Sequence, residues 1–479
     1  TKRYVMQKHP QYYLAQTFSM IFFLAVTLLG FRGGVQLKPI GIMSAAQYAP
    51  SSETAVVLNS AFTLMRSSDQ QGIRKLNFFT DEKEMTCIFN IEKNYALADS
   101  LGNIQPMNKK NVFVIILESF SVEHIGALNH KKANLNSDFT PFLDSLAEKS
   151  IVFDGFANGK RSIEGIPAIL ASLPTWMTED FITSQYATVK FNSLASLLKE
   201  EGYSTSFFHG GKNGTMGFDV FSKSAGFDNY FGKNEYPHQS DFDGSWGISD
   251  EPYLQYIANT LNTLPEPFMG AVFTLSSHHP YKVPEKHKNR FRKGPLAIQE
   301  TIMYADFALE QFFARASQMP WFKNTIFVIT SDHTSEAWLP FYKNRVGQYA
   351  IPIIFYEPGS DTAMHQKSIV QQTDIMPTVL DMLNYNKPFV AFGSSALRSD
   401  EPRFSLSYLN GNYQLLKDGY CLQTDHTISS VLYNFENDSL LSKDVSAAKK
   451  DLAKEMDLLL KSVIQQYNNR IIGNKLTVK

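Results

Sequence analysis

From Val112 to Leu117 six apolar residues follow one another, and four of them (Val112, Val114, Ile115 and Ile116) are β-branched. A strand with one wet face alternates apolar and polar residues; this run does not, so it belongs inside a sheet covered on both sides. The segment NVFVIILESF, 111–120, is too short for a typical helix and long enough for a buried parallel strand. The chain around it agrees. Helical patterns (TPFLDSLAEKS, FNSLASLLKEEGY, PYLQYIANTLNTL, and a long helix near 298–318) alternate with apolar strands (SIVFDGF, STSFFHG, FMGAVFTLSS, NTIFVITSDH). Such alternation predicts an α/β fold with a mainly parallel central sheet sandwiched by helices.

The flanks carry different signals. Tyr12 to Phe31 is a charge-free stretch, and about 20 residues is what a helix needs to cross a bilayer. It reads as a transmembrane helix, within an anchor spanning 1–34. Lys2, Arg3 and Lys8 precede it, while Arg32 and Lys38 follow, which favours a cytoplasmic N-terminus and a catalytic domain on the outer side of the membrane. A buried core helix is the plainer reading, since Gln16, Thr17 and Ser19 dilute the run. The first residue is Thr1, so the sequence is expected to begin inside a longer chain. Residues 35–106 form a connecting region in which SSETAVVLNSAFTLMRS has a capping pattern followed by helical spacing. A catalytic domain is expected over 107–395. After it, 396–479 holds Asn-Gly and Asp-Gly turn signals, predicting a small antiparallel appendage, and ends on an amphipathic helix that folds back on the domain.

With 45 Lys+Arg against 46 Asp+Glu, no general charge attracts nucleic acid, and an anionic ligand must be met locally. Cys87 and Cys421 are the two cysteines, too few for a disulfide framework, and are left unpaired.

In open α/β sheets ligands bind beyond the carboxyl ends of the strands. Glu118 closes VIILE and Asp332-His333 closes IFVITSDH, so these groups stand at such ends. A carboxylate leaving an apolar strand is costly to bury unless paired, and a cation is the natural partner. The Asp, Glu and His set suits Mn²⁺, Zn²⁺ or Mg²⁺. Alternatively Glu118 caps a helix and Asp332-His333 forms an ordinary loop. Ser162 follows Lys160 and Arg161 at a possible helix start, where backbone N–H groups face an anion. A metal near its hydroxyl readies it for attack on phosphorus or sulfur; otherwise it is a helix N-cap beside a solvated basic pair.

In order, LESF, TPFLDSLAEKSIVFDGF, GKRS, TLSSHHPY, SDHTSE and TDIMPTVLDML resemble the lipoteichoic acid synthase branch of the alkaline phosphatase and sulfatase superfamily. The resemblance covers roughly 107–390. It implies an alkaline phosphatase/sulfatase-like fold and one divalent metal, Mn²⁺ ahead of Zn²⁺ or Mg²⁺, held by Glu118, Asp332, His333 and the nucleophile. Ser162 matches that nucleophile when GKRSIE is set against the family's GKTSD; a shift by one residue puts Arg161 there, and arginine cannot serve. Arg161 then neutralises the transferred group, and His278 and His209 match histidines that meet substrate; either could equally be a structural histidine.

Where the synthases carry Asp, Trp and Arg for glycerol phosphate, this chain has Gly211, Met216 and Phe218; Lys212 or Asn213 could take over some contacts. Glu164 stands where formylglycine sulfatases need proline, so that cofactor is not expected.

The activity implied is transfer of a phospho-alcohol group from a phospholipid donor to a glycan, lipid or alcohol acceptor through a covalent serine intermediate, at the bacterial cytoplasmic membrane. The alternatives are phosphoethanolamine transfer, hydrolysis of a phosphate or sulfate ester, and a catalytically silent envelope binding protein.

Overall fold

A computed structural model describes residues 10–32, 35, 57–58, 72–97, 103–129, 139–360, 362–425 and 430–478. Apart from 57–58, the helical pattern expected over 51–67 lies outside the described residues.

The first helix, Pro10–Arg32, is long and apolar enough to cross a membrane, and side chains such as Leu14, Phe18 and Phe23 stand exposed along it. Two-residue strands β1 (Glu92–Lys93) and β10 (Phe389–Val390) pair with each other. The central sheet is built from β2 (Asn111–Leu117), β3 (Ile151–Phe156), β4 (Ser204–His209), β5 (Asn229–Phe231), β6 (Phe268–Phe273), β7 (Thr325–Ser331), β8 (Ala350–Tyr356) and β9 (Met364–Gln371). Its order is β5-β4-β6-β2-β7-β8-β3-β9, and β8 alone runs against the rest. Strand β2 lies centrally, as its unbroken apolar run requires, and all seven of its residues are buried.

Both faces of the sheet are covered. Val112, Val114 and Ile116 join a core with the helices Ser162–Ala171, Leu194–Glu200, Ile375–Met382 and Lys450–Ile472. Phe113, Ile115 and Leu117 join the opposite core with the helices Pro141–Ala147, Asp250–Leu261 and Ile298–Ala316. The alternation of β2 side chains thus divides one apolar run between two cores.

After residue 400 four antiparallel strands, β11 (Ser405–Leu409), β12 (Asn412–Lys417), β13 (Tyr420–Thr424) and β14 (Ser430–Asn434), follow in order. Asn410-Gly411 and Asp418-Gly419 make its first two turns with positive φ at all four residues, the primed-turn geometry that Asn-Gly and Asp-Gly favour. Cys421 is buried in β13, which pushes its thiol up to about 12, while Cys87 is exposed; both are free.

The helix Lys450–Ile472 buries Leu459, Leu460, Val463 and Ile464 against the domain. It also holds the segment 72–97. Asn469 receives the Leu76 N–H at 3.0 Å and donates to its carbonyl at 2.8 Å. Gln465 does the same for Phe79, at 2.9 Å each way, and Gln466 donates to the Phe89 carbonyl at 2.8 Å. Side-chain amides here replace a partner strand.

Candidate metal centre

Because β2 and β7 are neighbours and parallel, with Leu117 paired to Ser331, their C-terminal ends deliver Glu118 and Asp332-His333 to one place. One ligand atom from each of Glu118, Asp332 and His333 lies within 4.8 Å of the others. Both carboxylates are buried. Burial first, and then the charge of Asp332, push the Glu118 carboxyl well above the ordinary carboxylate range. Two ionised carboxylates at about 4 Å would repel by roughly 4 kcal/mol in a protein-like dielectric, so keeping both ionised calls for a cation between them.

The hydrogen bonds show what is missing. Asp332 Oδ1 accepts from the Ser119 and His333 N–H groups at 2.9 and 2.7 Å. Asp332 Oδ2 is buried and, among the described residues, receives no hydrogen bond. It lies 3.2 Å from His333 Nε2. His333 Nδ1 is 2.8 Å from the Thr334 carbonyl oxygen, an acceptor only, so Nδ1 carries a proton and, in the neutral ring, Nε2 presents a lone pair. Glu118 Oε1, 3.9 Å from the same nitrogen, already accepts from Ser119 Oγ at 2.6 Å. Lone pairs from two carboxylates and an imidazole therefore face one another, the donor set of a divalent cation. The residues fit the metal that their chemistry implies.

Ser162 reaches the same spot from another element. It is the first residue of the helix Ser162–Ala171, is 3% exposed, and places Oγ 3.4 Å from His333 Nε2. Glu164 caps the helix by accepting from the Lys160 and Arg161 N–H groups at 2.7 and 3.0 Å. The helix lies directly on the Asp332 backbone. A methyl group at Gly165 would collide with the Asp332 carbonyl oxygen, so this close approach requires glycine.

Residues that sequence reasoning passed over hold the ligands in position. Gln372 Nε2 donates to the carbonyl oxygens of Ser331 and Asp332 at 2.8 and 2.7 Å. Its Oε1 accepts from Asn158 N–H at 2.9 Å, and Asn158 Nδ2 donates to Gln371 Oε1 at 2.8 Å. The ends of β3, β7 and β9 are thereby joined. Ser119, at φ 59°, turns the chain sharply after Glu118, a left-handed conformation that a non-glycine residue adopts only where its surroundings hold it. Ser277 Oγ donates to the Glu118 carbonyl at 2.5 Å and Thr274 Oγ1 accepts the Glu118 N–H at 3.0 Å. Lys160 donates to Thr334 Oγ1 and the Gln348 carbonyl at 2.8 and 2.6 Å, and burial lowers its pKa to about 8.

The residues expected to meet substrate are scattered more widely. His278 follows Ser277 and is partly exposed. Arg161 is outward-facing, its guanidinium bound to Asp180 and Glu164. Its charge is therefore shared with two carboxylates instead of being aimed at an anion. Lys212 is exposed, its ammonium 5.7 Å from the Phe242 ring centroid. His209 differs from the expectation: it is fully buried at the end of β4 and stacks on Phe273, whose carbonyl oxygen lies 3.2 Å from Nδ1. Burial lowers its pKa to about 4. Among the described contacts none links His209 to the four residues of the centre.

Comparison with known proteins bears on the whole arrangement. The sulfatase family pattern matches residues 110–385. The lipoteichoic acid synthase-like protein YvgJ of Bacillus subtilis (strain 168) is 26% identical over 71% of this chain and 59% of its own length. Lipoteichoic acid synthase 1 of the same organism is 24% identical over 70% of this chain and 55% of its own. The chain therefore spans less than two thirds of these relatives. Among solved structures, a protein in the alkaline phosphatase superfamily from Vibrio parahaemolyticus superposes with a TM-score of 0.69 at 22% identity, covering 88% of this chain and 98% of the other. The lipoteichoic acid synthase LtaP of Listeria monocytogenes does so at 0.64 and 20%, covering 81% and 98%. The chain belongs to the sulfatase family, and within it resembles the lipoteichoic acid synthases.

Proposed function

We propose that this chain is a membrane-anchored, metal-dependent phosphotransferase that moves a phospho-alcohol group, such as glycerol phosphate, from a phospholipid to an acceptor hydroxyl through Ser162. The observation that carries the reading is the 3.4 Å approach of Ser162 Oγ to His333 Nε2, beside two buried carboxylates that lack a counter-charge. Glu118, Asp332, His333 and Ser162 are the residues to hold one divalent cation; Mn²⁺ leads by family resemblance, and Zn²⁺ or Mg²⁺ suit the same donors. Such an ion supplies the positive charge that favours ionised Ser162 and screens the phosphate oxygens.

The rest falls to the protein. Ser162 Oγ loses its proton and bonds to phosphorus as the bond to the lipid alcohol breaks, and diacylglycerol leaves with a proton. In the second step an acceptor hydroxyl, or water, gives up its proton and bonds to phosphorus as the Ser162 Oγ bond breaks, and Ser162 Oγ regains a proton. Negative charge on the phosphoryl oxygens develops beside the N-terminus of the helix Ser162–Ala171, whose dipole and free N–H groups favour it. By family resemblance His278 is the residue to orient the transferred group. The helix Pro10–Arg32 would keep the site near lipid, with the catalytic domain outside the cytoplasmic membrane. Arg161, Lys212 and His209 remain candidates for substrate contact only if their side chains move from the partners described above.

The test is Ser162→Ala, assayed with phosphatidylglycerol and phosphatidylethanolamine by mass spectrometry of released diacylglycerol and of the protein. Turnover is expected to fall by at least roughly 10³-fold, and a serine adduct to appear on the unmodified chain alone. Undiminished turnover by the variant rules the mechanism out.

A further inference from the structure

Beside the metal centre lies an aromatic surface that the chemistry above does not use. Trp246 is half-buried, and its ring meets the His278 imidazole with 4.1 Å between centroids. Its indole N–H donates to the His279 carbonyl oxygen at 2.7 Å. With its one polar atom engaged, the residue offers a ligand only the face of its ring.

The loop that carries it is built stiffly. Asp243 Oδ1 accepts the N–H groups of Ser245, Trp246 and Gly247 at 2.6, 2.8 and 3.2 Å. Gly247 lies so close to Gly210 that a methyl group there would strike the Gly210 carbonyl oxygen. The neighbouring loop is fixed as well, because buried Asp250 accepts the Leu275 and Ser276 N–H groups at 2.9 and 3.1 Å. Ser277, next to His278, is the residue that donates to the Glu118 carbonyl. A rigid, partly exposed tryptophan is therefore tied through one loop to a metal ligand.

Cationic donors lie nearby. Lys282 Nζ donates to Ser245 Oγ at 2.9 Å, and Lys212 and Lys233 stand over the Phe242 ring at 5.7 and 4.3 Å. The local carboxylates accept from neutral donors and keep their charge: Asp243 as described, Asp241 from the Tyr236 hydroxyl at 2.5 Å, and Glu235 from Asn213 at 3.1 Å. An aromatic face with Lys282 beside it suits the C–H surface of an uncharged polyol that carries phosphate, and the Lys282 charge opposes an ammonium head group.

Resting on the phosphodiester reading above, we propose that Trp246 and Lys282 form a specificity-determining subsite for polyol phosphate, with the polyol on the indole face and the phosphate charge met by Lys282. The polyol phosphate can arrive as the donor lipid's head group or as the end of an acceptor.

The experiment uses the full chain carrying Ser162→Ala, which removes turnover and leaves the subsite intact. Calorimetric titrations with sn-glycerol 1-phosphate and with phosphoethanolamine compare this parent with versions that add Trp246→Ala, Trp246→Phe or Lys282→Gln. Glycerol phosphate should bind about tenfold more weakly after Trp246→Ala, equivalent to ~1.4 kcal/mol. Trp246→Phe should stay within about threefold of the parent because a ring remains. Phosphoethanolamine should bind the parent more weakly than glycerol phosphate does, and Lys282→Gln should narrow that gap. Equal affinity in the Trp246→Ala and parent proteins, no binding of glycerol phosphate by the parent, or a preference for phosphoethanolamine overturns the proposal. With Ser162 intact, Trp246→Ala should raise a KM and spare kcat: the KM for phosphatidylglycerol vesicles if the donor occupies the subsite, that for the acceptor if the acceptor does. Turnover by Ser162→Ala would remove the proposed nucleophile but leave the binding comparison valid, so the two failures are distinguishable.

Discussion

Glu118 and Asp332 are two buried carboxylates turned toward each other, whereas Lys93 and Glu401, elsewhere in the fold, are a buried cation and a carboxylate 2.8 Å apart. The second cluster is complete. Lys93 also donates to Ser394 Oγ at 3.0 Å, Tyr95 OH donates to Glu401 at 2.8 Å, and Asp381 pairs with Arg398 at 2.8 Å. Each charge there has an opposite charge within reach, and the network fastens β1 and Tyr95 to the segment after β10. The first cluster has an excess of acceptors and an orphaned oxygen, Asp332 Oδ2. Burial is common to both, so burial alone does not separate a structural cluster from a functional one. Local neutrality does, because an uncompensated buried charge is too costly to keep unless a ligand supplies what is absent.

The contrast breaks most visibly at Glu118. Glu118→Gln should lose metal, read by elemental analysis after dialysis, and reduce turnover by more than the roughly 10- to 100-fold that follows removal of a supporting partner. Its metal-free form should melt no lower than metal-free wild type, since a like-charge contact is relieved. Retained metal would put Glu118 outside the ligand set.

Lys93→Met should behave in the opposite sense. Denaturant unfolding should show a loss of about 3 kcal/mol, because Glu401 is left without its cation, while metal content stays at the wild-type level. A cost below about 1 kcal/mol would place this pair with ordinary surface bridges.

Gly165→Ala probes the seam between the Ser162 helix and the Asp332 backbone. A cost of about 1–3 kcal/mol is expected from overpacking, together with a fall in turnover as Ser162 is displaced. Unchanged activity would mean that the helix can move without consequence.

A further contrast is spread over a pH range and belongs to Asp374, which accepts from the Gln371 and Ser394 N–H groups at 2.9 and 2.7 Å. Burial raises its pKa from 3.8 to about 7, against the pull of Arg403 and Lys93. The folded state then holds this proton more tightly than the unfolded state does. Its contribution is present in full below pH 3.8 and is lost as the pH rises to about 7, at a slope of at most ~1.4 kcal/mol per pH unit. Asp374→Asn should flatten that part of the stability profile; an unchanged slope would show that the carboxyl titrates normally.

The sheet was legible because β2 and β7 are uninterrupted apolar runs, and a polar residue ending such a run marks the carboxyl edge. Glu118, Asp332 and His333 follow from that rule. Ser162 needed family resemblance, since a serine at a helix start is ordinarily a cap. The supports were not legible. Gln372 is 214 residues from Asn158, and Gly165 meets Asp332 only because a helix and a strand end pack face to face. The expectation that His209 meets substrate comes from the family resemblance alone. The rings of Phe218 and Phe273 enclose it instead, and no local pattern records that enclosure.

The amide clamps of Asn469, Gln465 and Gln466 on residues 76–89 bear on how the domain resists being pulled. Tension transmitted along the chain from the Pro10–Arg32 helix meets these clamps before it reaches β2. By chain order, a pull applied at that helix would load the hydrogen bonds to residues 76–89 before the end of β2.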